Sequence, residues 1–142
     1  GPAHETMGGP PMSSPVAWSV QTHWPADPRH VGDARRFVVD RLVADDLGHL
    51  TDAAGLIVSE LATNAVNHAN SPFRLTMVRD DRQVLLEVHD DSSGEAVARD
   101  GDPLDVSGRG LHLVSVLSDD WGVTPHAQGG KSVWATLDVA GA

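Results

Sequence analysis

Val16, Trp18 and Val20 alternate with Ala17, Ser19 and Gln21, the period of a half-buried strand. The Trp24-Pro25-Ala26-Asp27-Pro28 stretch interrupts it and supplies a helix start, with an N-cap oxygen on Asp27 and a proline whose missing N–H costs nothing in the first turn. Val31, Ala34, Phe37, Val38, Leu42 and Val43 then recur at three- and four-residue spacing, which predicts a helix to about Leu47, ended by Gly48. Thr51 or Asp52 can cap a second helix running to about Ala69, bounded by Asn70-Ser71-Pro72.

Residues 73–79 and 82–90 alternate again, and a tight turn at Asp80-Asp81 pairs them as an antiparallel hairpin. Phe73, Leu75 and Met77 then share a buried face with Val84, Leu86 and Val88. Residues 92–107 are rich in Asp, Gly, Ser and Pro and have no period, so they read as a long loop. Gly108-Arg109-Gly110 opens a short helix carrying Leu111, Leu113, Val114, Val116 and Leu117. Residues 121–124 and 132–139 close the chain as two strands around Gly129-Gly130. The order β-α-α-β-β-loop-α-β-β groups strands into hairpins. It predicts an α+β fold, a two-layer α/β sandwich whose mostly antiparallel, mixed sheet carries helices on one face.

Composition narrows this picture. A chain of 142 residues is one domain's worth, large enough for a hydrophobic core without covalent staples, and the lack of cysteine excludes disulfides and thiolate-bound zinc. Residues 1–15 begin like a protease scar, continue small and Pro-rich, and are read as a disordered tail outside a single domain over residues 16–142. No membrane span or signal sequence is evident, so a cytoplasmic location is expected, with no membrane partner. The net charge is −10 and Lys131 is the sole lysine, which argues against a nucleic-acid surface because phosphate binding needs clustered cations. The eight histidines include no i,i+4 pair and no HExxH, so no zinc site is expected. There is neither a GxSxG elbow nor a GxxxxGK[ST] loop, which removes the serine-hydrolase and P-loop readings.

Three local patterns carry candidate chemistry. Glu60, Asn64 and Asn67 fall within about 60° of one another on the second helix, opposite Val58, Ala62, Ala65 and Ala69. Asn is a poor helix former and an unusual choice for a merely solvated face. A carboxylate one turn before an amide suits hydrolysis or phosphoryl transfer, the Glu taking a proton and the amide oxygen holding a hard cation such as Mg²⁺. The apolar strand 82–90 ends in Asp90 and runs into a Ser/Gly turn, which places that carboxylate at the edge of the core, where it can accept a ligand N–H. Gly108-Arg109-Gly110 sits at a helix start, where N–H groups and the helix dipole converge on an anion.

In this order the patterns resemble the GHKL (Bergerat-fold) ATPases, and within them the anti-sigma factor and serine-kinase-like ATP-binding proteins of Gram-positive bacteria. The resemblance spans roughly residues 16–139: an N-box from Glu60 to His68, an adenine-binding box with Asp90 and Gly94, a second glycine box at Gly108-Arg109-Gly110-Leu111, and a closing strand from Gly129 to Trp134. It implies that ATP and Mg²⁺ are the cofactors, with Asn64 on the metal and Glu60 as general base. It also implies that Asn67 and His68 belong to the nucleotide site, that Asp90 accepts from the adenine amino group, and that Gly94 admits the nucleotide. Ser132 stands where a Thr hydroxyl usually supports the aspartate, and Gly108, Arg109, Gly110 and Leu111 form the phosphate-facing helix start. Residues 91–107 correspond to the ATP lid. The family's first glycine is replaced by Ser92, and residues 90–105 carry six acidic side chains against Arg99, half of the net charge.

The activity implied is a serine/threonine protein kinase acting on an anti-sigma antagonist-like protein, with a sigma factor as a second partner and homodimerisation as a family habit. The alternative is a non-catalytic partner-switching anti-sigma module, with or without ATP.

Overall fold

A computed structural model of the chain describes residues 3–5, 14–69, 71–91 and 106–141, and the backbone alone for residues 3–5, 68, 69 and 106–110. The elements are β1 (Ala3–Glu5), β2 (Trp18–Trp24), α1 (Arg29–Ala44), a 3-10 turn (Gly48–Leu50), α2 (Thr51–Asn64), a π-helical turn (Ala65–Ala69), β3 (Phe73–Arg79), β4 (Gln83–Asp90), α3 (Val106–Leu117), β5 (Asp120–Pro125) and β6 (Lys131–Asp138). The strands form one sheet in the order β1-β5-β6-β4-β3-β2, antiparallel except where β1 pairs with β5. The expected two-layer α+β sandwich is the observed fold.

Alternation accounts for the core. Leu75 pairs with Val88 and Met77 with Leu86 in register, and all four are buried with Phe73 and Val84, as the hairpin pattern requires. Val133, Ala135 and Leu137 of β6 extend that face. Ala34, Val38 and Leu42 of α1, Ala54, Ile57, Val58, Leu61 and Ala62 of α2, and Leu111 and Val114 of α3 cover it. Burying such side chains supplies the main driving force for the fold, at about 1.5–3 kcal/mol each for the larger ones.

The ends of elements differ from expectation in ways that have local causes. Pro28 rather than Asp27 occupies the N-cap position of α1 and makes no side-chain cap, while the Asp27 carboxylate, one residue earlier, accepts the N–H of Arg29 at 3.0 Å. The helix stops at Ala44 rather than Leu47, because Asp46 adopts a left-handed conformation (φ 59°) and the N–H of Leu47 returns to the Leu42 carbonyl. Neither Thr51 nor Asp52 acts as an N-cap, since α2 continues directly from the 3-10 turn; the Thr51 hydroxyl donates back to the Gly48 carbonyl instead. Asp80 is fully buried and builds the β3–β4 turn by accepting the N–H groups of Arg82 and Gln83, each at 2.8 Å. Ala3–Glu5, read from sequence as part of a tail outside the fold, forms a strand paired with Trp121–Val123. No helix among the described residues is long and apolar enough to cross a membrane.

Candidate nucleotide site

α2 is regular from Thr51 to Asn64, so Glu60 and Asn64 stand one turn apart on the same side. Glu60 is half-buried, and Asn64 is only 4% exposed. The Asn64 side-chain amide nitrogen is buried without a hydrogen-bond partner. An orphan of this kind costs about 1–3 kcal/mol, which an acceptor or, with the amide turned over, a cation would relieve. After Asn64 the helix loosens into the π-helical turn Ala65–Ala69. Widening to i→i+5 bonds shifts the phase of everything beyond it, and such turns recur at functional sites. The predicted common stripe therefore breaks: Asn67 is exposed while Asn64 is buried. The His68 side chain lies outside the described set.

The π-helical turn packs on β4, and the Asp91 N–H donates to the Ser71 hydroxyl at 3.3 Å, tying the segment after α2 to the end of β4. This contact brings the Asn64 end of α2 and the Asp90 end of β4 to the same edge of the domain. Asp90 is 2% exposed, as expected of a carboxylate at the core boundary. Its partner was not anticipated. Lys131, fully buried, donates from Nζ to both Asp90 oxygens, at 2.8 and 2.7 Å.

The expectation for Ser132 is corrected by strand parity. Asp90 pairs in register with Lys131, and His89 with Ser132. Successive side chains alternate between faces, so Asp90 and Lys131 share the helix-covered face with Val88 and Val133, while Ser132 projects from the other. The Ser132 Oγ lies 2.9 Å from His126 Nε2 and 3.4 Å from His89 Nδ1, and it also bonds to Glu87, so it does not support Asp90. Around it the His89 and His126 rings meet edge to face at 4.8 Å. Burial pushes the Glu87 carboxyl up, and burial with the nearby Arg74 and His126 charges pushes His89 below its usual 6.5.

The turn between β5 and β6 explains how Lys131 reaches Asp90. Gly129 and Gly130 have φ of 103° and 83°, and a Cβ on Gly130 would lie 2.4 Å from the Asp90 carbonyl oxygen. Only glycine lets the chain pass so close in this conformation. From sequence Gly129-Gly130 is recognisable as a turn, but Lys131 has no evident role. The available signal was a lysine two residues before a wholly apolar strand face.

α3 begins at Val106, so Gly108-Arg109-Gly110 lies within its first turns rather than ahead of it. Gly108 falls among the opening residues whose N–H groups have no acceptor inside the helix. Leu111 is buried in the core, packing the helix rather than facing a ligand. The Arg109 side chain, Gly94 and residues 92–105 of the expected lid lie outside the described residues, and residues 106–107 of that expectation form the start of α3. Among the described residues no group of three or more His, Cys, Asp or Glu could hold a metal. A lone amide such as Asn64 instead fits Mg²⁺ that arrives with phosphates and keeps several waters.

No curated protein matches the chain significantly. Residues 24–137 match the histidine kinase-like ATPase domain, a span that contains α1 to α3 and every residue of the site just described. The chain belongs to the histidine kinase-like, GHKL-type ATPase domain family.

Proposed function

We propose that the chain is an ATP-binding regulatory domain that transfers the γ-phosphate of ATP to a serine or threonine of a partner protein of the anti-sigma antagonist type. Family membership supports ATP binding, and the buried, unpartnered amide nitrogen of Asn64 one turn after Glu60 supports a phosphate and metal site there, while the partner class rests on the resemblance of the sequence motifs. Asp90 accepts from the adenine amino group. The N–H at Gly108 meets a phosphate oxygen, with the N-terminal end of α3 favouring negative charge. Asn64 would hold Mg²⁺ through its amide oxygen, and that ion, when bound, neutralises charge on the phosphates. Glu60 takes the proton of the attacking hydroxyl, and the oxygen–phosphorus bond forms as the bond to the ADP oxygen breaks. Phosphoryl transfer asks for positioning and electrostatics more than covalent chemistry, so a small set of groups suffices.

The Glu60→Ala variant tests the catalytic part. γ-Phosphate transfer from MgATP to an acceptor protein, or to water in its absence, is expected to fall by at least about 100-fold, while MgATP binding by calorimetry stays unchanged. Equal turnover in the variant contradicts the role of Glu60. Binding without any transfer by the unaltered protein identifies a non-catalytic, nucleotide-stabilised binding module instead.

A further inference from the structure

Lys131 is the only lysine of the chain, and it is fully buried. Lysine is almost never buried unless paired, and a buried ion pair is seldom more stabilising than well-packed apolar side chains of similar size. Stability alone is therefore a poor reason for this pair. The geometry is specific: one Nζ sits 2.8 Å from one Asp90 oxygen and 2.7 Å from the other. A carboxylate held at both oxygens cannot turn about its Cβ–Cγ bond, so its acceptor directions are fixed. The hold is set from the backbone, because β6 starts with Lys131 opposite Asp90 and the missing side chain of Gly130 lets the chain lie against the Asp90 carbonyl.

We infer that Lys131 is a positioning residue for nucleotide recognition: it locks the Asp90 carboxylate in the orientation that selects a purine bearing an amino group over one bearing a carbonyl oxygen. This rests on the proposal that Asp90 meets the base of ATP. The site of action is the Asp90–Lys131 pair on the helix-covered face. His89, Glu87, Ser132 and His126 lie on the other face of the sheet and take no part.

The test compares adenosine triphosphate with inosine triphosphate, both with Mg²⁺, by calorimetric titration of the unaltered protein and the Lys131→Met variant. The unaltered protein is expected to prefer the adenosine nucleotide by about tenfold or more, the worth of one hydrogen bond to a charged acceptor. In Lys131→Met that preference is expected to fall toward unity. A purely structural role for Lys131 reduces the competent fraction and weakens both nucleotides by the same factor, leaving the ratio intact. An unchanged ratio therefore overturns the inference. If Lys131→Met does not fold, lysine-specific ¹⁵N labelling of the unaltered protein gives a single side-chain ammonium signal. It must shift on saturation with MgATP, and a signal that stays in place overturns the inference as well. Failure of the unaltered protein to bind either nucleotide is a different result, because it removes the site itself.

Discussion

Asn64 holds a buried polar nitrogen with nothing to donate to, on the last residue of a regular helix. A side chain kept for the fold is expected to be satisfied, whereas one kept for a ligand is satisfied only in the complex. Asn64→Ala removes the orphan, so its unfolding midpoint is expected to stay level or rise, while MgATP affinity falls by about tenfold or more through the lost ligand contact. Denaturant unfolding and calorimetry together read both sides, and a destabilised variant with unchanged affinity contradicts the reading. His89 supports a second prediction. Its pKa is depressed in the fold, so over the range below 6.5 the unfolded chain binds more protons than the folded one, and stability falls as pH drops through that range. Glu87, whose carboxyl is pushed up from 4.5, works in the other sense and loses stability as pH rises. Melting temperature measured from pH 7 down to about 5 is expected to decline less in His89→Gln than in the unaltered protein. Parallel curves contradict the assignment. At this scale the sequence anticipated where Glu60 and Asn64 stand on α2 and that Asp90 ends β4 at the core boundary, because these positions depend on local period and strand ending. It missed Lys131 and misplaced Ser132, because which of two adjacent residues meets Asp90 depends on the register of strands about 40 residues apart in the chain, and a shift of one exchanges the faces.

Two departures from regular structure shape the site at the scale of elements. The π-helical turn Ala65–Ala69 separates the buried Asn64 from the exposed Asn67, and a fixed period of 100° per residue carries no sign of it. The β5–β6 turn uses two glycines with positive φ, but only one of them has a neighbour where a side chain would be: the space at Gly129 is open, while at Gly130 the Asp90 carbonyl intrudes. Gly129→Ala is thus expected to cost the backbone term alone, about 1–2 kcal/mol. Gly130→Ala adds overpacking of about 1–3 kcal/mol and moves the Asp90–Lys131 pair, so it is expected to weaken nucleotide binding as well. Denaturant midpoints of the two variants check the order, and equal costs contradict the close approach. The hairpins and the helical cover were legible from sequence, since their patterns run over many residues. The pairing of β1 with β5 was not, because three residues of small and polar character carry no period.

Over the whole molecule, the net charge of −10 argues against a broad basic surface, and the proposed function relies on a different way to meet a polyanion. In the proposed function phosphates would meet the N-terminal end of α3 and a cation held by Asn64, while the only lysine is spent inside the core on Asp90. The sheet brings these groups to one edge: Asp90 at the end of β4, and Asn64 at the end of α2, linked to β4 through Ser71 and Asp91. Binding is expected to need both the base contact and the phosphate contact, and the base contact reports on the site most directly. Calorimetric titration of MgATP into the unaltered protein is expected to give saturable heat. Asp90→Asn, with its fold verified by circular dichroism, should bind at least about tenfold more weakly, since a hydrogen bond to a charged acceptor contributes about 1.5–3 kcal/mol. No heat with the unaltered protein, or equal affinity in Asp90→Asn, contradicts the account.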